Sequence, residues 1–268
     1  MENYYKKYVK YKSKYKRLLY KSEIKKFYLV HIPKTAGTTI TNIFYKYLNM
    51  ELGRSYYKYE VKNIKRENIV KEEFLKISNQ ISLYHMPLSF FKNKYINFLN
   101  NNFILLAVVR NPIDRIISEF NYTFTRIKYK KAKEIPWTVE PLNKIFNGNY
   151  TYTKDDLNKF IHNVLENAEF EYLFDGHLIP MYRYTHILKD GKLEKNCEIL
   201  KYESLNDDFN NFCKKYNLKI PDNSILSNKV NMSSDKIIYR GKREDLDNKS
   251  IELIYKYYEL DFKLFNYK

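Results

Sequence analysis

One stretch constrains this chain more than any other. Phe27–Ile32 is a short apolar run, and Pro33-Lys34-Thr35-Ala36-Gly37-Thr38-Thr39 follows it. Ile40, Ile43, Phe44, Tyr47 and Leu48 then recur at the spacing of one helical face. Strand, short loop and helix in that order form a cradle for an anion. The first backbone N–H groups of the helix have no intrahelical partner, and the helix dipole favours negative charge there. Gly37 permits close backbone approach. Lys34 adds a cation, and Thr35, Thr38 and Thr39 add hydroxyl donors. The competing reading is an ordinary strand–helix turn whose threonines cap the helix.

The rest of the chain alternates in the same sense. Phe103–Val109 is continuously apolar, as suits a strand buried on both faces of a parallel sheet. Asn111-Pro112 then opens a helix, with Asn as N-cap, Pro in the first turn and Asp114 just behind. On that helix Ile113, Ile116, Ile117 and Phe120 make the buried face. Arg115, Ser118 and Tyr122 fall opposite, facing a ligand. Residues 126–195 read as irregular except for one helix, opened by a capping box at Thr153-Lys154-Asp155-Asp156. A third strand is expected at Cys197–Tyr202, a helix near 207–216 and a last helix at about 248–260. The fold class is therefore α/β: a P-loop-like, doubly wound parallel sheet flanked by helices.

Residues 1–26 differ. Tyr4, Tyr8, Tyr11, Tyr15 and Leu18 are spaced four, three, four and three, and Lys or Arg fills most positions between. This predicts a basic amphipathic helix, an appendage that docks or self-associates, ahead of one domain over 27–268. The formal charge of +17 suits polyanionic partners: nucleic acid, anionic lipid, an acidic glycan or a multiply charged nucleotide. Two cysteines, Cys197 and Cys213, make neither a disulfide framework nor a zinc site. No apolar run reaches the roughly 20 residues that span a bilayer, and no signal-peptide core is visible. A soluble, cytoplasmic protein is the expectation.

A kinase-type P-loop reads G-x-x-x-x-G-K-[ST]. Here Lys34 precedes the glycine, which weighs against a magnesium-dependent phosphotransferase. His31-Ile32-Pro33-Lys34-Thr35-Ala36-Gly37-Thr38-Thr39 instead closely resembles the 5′-phosphosulfate loop of the carbohydrate sulfotransferases, nearest in pattern to the heparan sulfate 2-O-, 6-O- and chondroitin-type enzymes. Val109-Arg110-Asn111-Pro112 through Ser118 resembles the 3′-phosphate motif of the same family. Leu83–Pro87 resembles its histidine segment, and Gly176–Pro180 a His-x-x-Pro segment of related enzymes. Leu200–Leu205 and Tyr258–Phe262 resemble later landmarks, and the basic loop Tyr239–Arg243 lies where relatives close over the nucleotide.

The resemblance implies sulfuryl transfer from 3′-phosphoadenylyl sulfate (PAPS) to a hydroxyl acceptor, an anionic or neutral glycan. Neither a metal nor a nucleic-acid partner is expected. Lys34, Thr35, Gly37, Thr38 and Thr39 would hold the 5′-phosphosulfate, and Arg110 and Ser118 the 3′-phosphate. Lys34 would also stabilise the leaving group, and His85 would be the base, with His177 as runner-up. The alternatives are a non-catalytic nucleotide- or polyanion-binding protein and a P-loop kinase-like phosphotransferase.

Overall fold

The computed structural model describes residues 26–52, 64–128, 136–221 and 239–268. The basic helix expected over residues 1–26, with its proposed self-association, lies outside them, save for Lys26.

In chain order the main elements are β1 (Phe27–Leu29), α1 (Gly37–Leu48), α2 (Asn93–Asn102), β2 (Ile104–Val109), α3 (Pro112–Lys128), α4 (Pro136–Phe146), α5 (Lys154–Glu166), β3 (His186–Lys189), β4 (Lys192–Lys195), β5 (Glu198–Lys201), α6 (Leu205–Lys215), α7 (Asn248–Tyr257) and α8 (Glu259–Phe265). The centre is a small parallel sheet in the order β1-β2-β5. Phe27 pairs with Ile104, and Val109 pairs with Lys201.

The unbroken apolar runs follow from the pleat. Alternate residues of a strand point to opposite faces, so a strand covered on both sides is apolar throughout. Phe27, Leu29, Leu106 and Val108 pack with Ile40 and Phe44 of α1 and with Phe209 and Phe212 of α6. Tyr28, Val30, Leu105, Ala107 and Val109 pack on the other side with Ile96 and Leu99 of α2. A third apolar cluster joins α3, α5 and α7 through Phe120, Phe160 and Ile254. That cluster holds α3 beside the carboxyl end of β2, where the sheet presents its loops.

The expected strands are present but shorter. The start of α3 forms as its sequence predicts: Asn111 Oδ1 accepts the Ile113 N–H at 3.0 Å. Three expectations change. No side-chain bond from Thr153 caps α5. Asp156 turns back instead and accepts the N–H groups of Thr151 and Tyr152 at 2.8 and 2.7 Å. The region 126–195 is far more regular than expected, containing α4, α5 and the β3–β4 hairpin. Asp190-Gly191 turns that hairpin with both residues at positive φ, 50° and 75°, as a two-residue type I′ turn requires. Finally, the last helix breaks near Tyr258 into α7 and α8.

Cys213 is buried beside Phe209 and Phe212, and both cysteines are free thiols. Burial pushes the Cys197 thiol up to about 12, so it stays protonated and inert.

Candidate active site

Five segments converge at the carboxyl end of β1 and β2: the 31–37 loop, the end of β2, the inner stripe of α3, the turn Leu83–His85 and the turn Phe174–Gly176. The loop is tightly wound. Lys34 and Ala36 have positive φ, 66° and 74°, which costs a non-glycine residue about 1–2 kcal/mol each. Side chains below hold this shape. Arg115 Nε donates to the Pro33 carbonyl at 3.2 Å, and Arg110 Nη1 donates to the Lys34 carbonyl at 3.3 Å. The Thr35 hydroxyl is buried and donates to the Ile32 carbonyl at 2.8 Å.

Gly37 is required here for a reason beyond ligand approach. A Cβ on it would lie 2.4 Å from His31 Nδ1. The imidazole thus fills the space that any side chain would need. Among the described residues no side chain caps α1; the Thr39 N–H donates to the Ala36 carbonyl at 3.0 Å, which leaves the N–H groups of Gly37 and exposed Thr38 open to an anion.

Lys34 Nζ rests 3.7 Å over the Tyr122 ring. Burial lowers its pKa to about 8; Glu119 opposes that shift, and Arg110 and Arg126 add to it. The Arg110 guanidinium lies 4.3 Å over the Tyr202 ring, and its buried Nε has no hydrogen-bond partner among the described residues. Ser118, two turns into α3, is half-buried.

Arg115 differs from expectation. It does not lie on an open face; it is 2% exposed. Its Nη2 donates to the carbonyls of His177 and Ile179 at 2.6 and 3.0 Å. It therefore ties the 31–37 loop to the 177–179 segment. Its Nη1, buried and without a hydrogen-bond partner among the described residues, is a second such cationic donor beneath the loop. Such groups are costly to bury alone and are satisfied by an anion.

The histidines gather beside this loop. His85 Nδ1 donates to Asp175 Oδ2 at 2.7 Å. Asp175 also accepts from the Ser82 backbone N–H and hydroxyl, and its carboxyl is held below the usual range by those bonds despite burial. The His85 pKa is lowered, chiefly by burial, with Asp175 opposing. Its ring lies 5.2 Å from that of His31 and 4.9 Å from that of His177. His31 is held well below its usual pKa by burial and by the fields of His85, His177 and Lys34; Tyr84 stacks on it, hydroxyl to Nδ1 at 2.7 Å. His177 Nδ1 donates to buried Glu119 at 2.7 Å.

His85, Asp175 and His177 bring ligand-type atoms within 4.8 Å of one another. Each imidazole uses Nδ1 on a carboxylate, His85 on Asp175 and His177 on Glu119. His162 and His186 lie elsewhere: His162 pairs with Asp247 at 3.1 Å, and His186 bonds Thr185 at 2.9 Å.

Tyr239–Arg243 packs on α3. Asn121 holds both backbone groups of Gly241 at 2.9 and 3.1 Å, and Arg243 forms a bidentate pair with Asp114 at 2.7 Å. Arg240 is placed close enough to Arg110 to act on its charge.

Sequence reasoning brought together Lys34, Gly37, Arg110 and His85, but missed Asp175, Tyr84, Glu119 and Arg126. One signal was available for two of them. Arg115, Glu119, Tyr122 and Arg126 repeat at four, three and four along α3, a second stripe opposite the apolar one.

A search of curated proteins and a search of solved structures each return no match. The family description that does match is the Sulfotransferase family, over residues 18–268. The orphaned Arg110 and Arg115 donors and the uncapped start of α1 fit the anionic donor such enzymes use. With nearly its whole length matched, the chain belongs to the sulfotransferase family, enzymes that take their sulfuryl group from PAPS.

Proposed function

We propose that the protein transfers a sulfuryl group to a hydroxyl of a glycan, in the manner of the carbohydrate sulfotransferases, on a doubly wound, P-loop-like sheet. The observation that carries this reading is the Asp175–His85 pair, 2.7 Å apart, set beside a loop that holds the half-buried Lys34.

Bound PAPS supplies the sulfuryl group and a phosphate that leaves. The open N–H groups of Gly37 and Thr38, with the hydroxyls of Thr38 and Thr39, would hold the 5′ end. Thr35 contributes through its backbone, since its hydroxyl is engaged by Ile32. Arg110 and Ser118 would hold the 3′-phosphate, and Arg240 approaches the same end.

The proton chemistry follows from the pair. An ionised Asp175 can only accept, so it fixes the His85 proton on Nδ1 and leaves the Nε2 lone pair for the acceptor hydroxyl. Because burial lowers its pKa, His85 is neutral and basic at pH 7. Lys34, resting on Tyr122, supplies positive charge for the leaving oxygen. This reading uses no metal, because the lysine and the loop amides neutralise the developing charge. The runner-up base, His177, is only 5% exposed, and its Nδ1 is held by Glu119. His85 is therefore the residue we assign.

The test is transfer of labelled sulfate from PAPS to an array of glycan acceptors. Lys34→Ala and His85→Ala should each lower transfer about 10²–10⁴-fold with unchanged melting temperature. Full activity in Lys34→Ala contradicts the mechanism.

A further inference from the structure

Glu119 has no part in the mechanism above, yet it is a buried carboxylate at the centre of the site, 1% exposed. Its two oxygens are separately engaged: Oε2 accepts from His177 Nδ1 at 2.7 Å, and Oε1 from the Thr123 hydroxyl at 2.8 Å. Tyr122, three residues along α3, carries the Lys34 ammonium on its ring at 3.7 Å and faces the His177 ring at 6.1 Å. Lys34, Tyr122, His177 and Glu119 thus form one packed group across the loop, α3 and the 177 turn.

We propose that Glu119 is a positioning residue for sulfuryl transfer: its carboxylate, fixed by His177 and Thr123, is the counter-charge for the Lys34 ammonium seated on the Tyr122 ring one turn along α3. The proposal rests on the functional reading above, because it explains how that reading's key cation stays a cation.

The charges facing Lys34 define the need. Arg110 at the end of β2 and Arg126 on α3 are cations that disfavour its charged form, and Glu119 is the anion that favours it. His31 shares the loop and stays neutral. Around Glu119 stand His177, Lys34 and Thr123, with His85 and Tyr258 in electrostatic reach. His177 and Lys34 hold the Glu119 carboxyl down to about 2 against its burial, so it remains ionised throughout the working range. Without that charge, a half-buried lysine in the field of two arginines would lose its proton at lower pH. In the neutral form it could neither hold a phosphate nor stabilise a leaving oxygen.

The direct experiment needs no ligand. Competitive acetylation of Lys34 with acetic anhydride across pH 6–10, read by peptide mass spectrometry, gives the titration midpoint of its amine. Wild type should titrate near 8. Glu119→Gln, which keeps the shape and one accepting oxygen but not the charge, should titrate at least one pH unit lower. Glu119→Asp should stay near wild type. Thr123→Val, which removes a brace but leaves the charge, should also titrate near wild type. Equal midpoints in Glu119→Gln and wild type overturn the proposal, as does an equal shift in Glu119→Gln and Thr123→Val.

A second readout is the affinity for adenosine 3′,5′-bisphosphate. It should fall tenfold per pH unit above the Lys34 midpoint. At pH 8 Glu119→Gln should therefore bind at least fivefold more weakly than wild type. Equal affinities over pH 6–9 count against the proposal. Failure of wild type to bind this nucleotide at all contradicts the donor assignment instead, and the acetylation midpoints still decide the role of Glu119.

Discussion

His85 and Asp175 are 90 residues apart in sequence and 2.7 Å apart in the fold. Their pairing makes the imidazole useful, because a carboxylate on Nδ1 settles which nitrogen is basic. Asp175→Asn removes the charge, and with it the tautomer, while leaving the Ser82 bonds a partner. Labelled-sulfate transfer should fall about 10²–10⁴-fold, with donor affinity unchanged. The sign of the pH dependence is fixed by direction: the His85 pKa is lowered, so activity should hold from pH 7 down past 6.5 before falling. At this scale the sequence was readable where chemistry is local. Lys34 and Gly37 lie in one loop, and Arg110 closes one strand. Asp175 and Glu119 were not readable as site residues, because their partners are brought to them only by the tertiary fold. Arg115 misled for a related reason. Its place on the stripe of α3 was right, but the stripe faces the underside of the loop and not solvent.

At the scale of elements, the 31–37 loop is a strained turn held by packing. Gly37 is its tightest point. Gly37→Ala drives a Cβ into the His31 ring and should destabilise the protein by about 1–3 kcal/mol. Urea unfolding measures that cost, and binding of adenosine 3′,5′-bisphosphate should weaken in parallel. A fully buried carboxylate does similar work further on. Asp261 accepts the N–H groups of Met181 and Tyr182 at 2.8 and 2.7 Å. Burial raises its pKa to about 6. Asp261→Ala orphans both donors and should lower stability by about 1–3 kcal/mol. Elements with strong periodicity or clear caps, α1, β2 and α3, were legible from sequence. The β3–β4 hairpin was hidden. Its strands are four residues each and largely exposed, so they lack the apolar alternation that marks a strand, and only Asp190-Gly191 signals the turn.

For the whole molecule, charge governs behaviour. The chain carries +17, and at its site Lys34 feels the charges of Arg110 and Arg126 against that of Glu119. The Glu119 carboxyl is depressed to about 2 from an ordinary 4.5. Its stabilising contribution is therefore complete above pH 4.5 and is lost as pH falls towards 2. Wild type should lose stability over that window more steeply than Glu119→Gln, as melting curves from pH 5 to 2.5 would show. Among the described residues no helix is long and apolar enough to cross a membrane. The parallel sheet covered on both faces was legible as a whole; the extent of the helical layer on α3 was not, because α4 carries a proline at 141 and reads as a broken pattern.

The central claim is that one site holds a nucleotide with phosphates at both ends. Thermal shift with adenosine 3′,5′-bisphosphate, against ATP with magnesium, tests it most directly. The bisphosphate should raise the melting temperature of wild type, and Lys34→Ala and Arg110→Ala should each lose most of that shift. A shift with ATP-magnesium alone, or with neither nucleotide, contradicts the assignment.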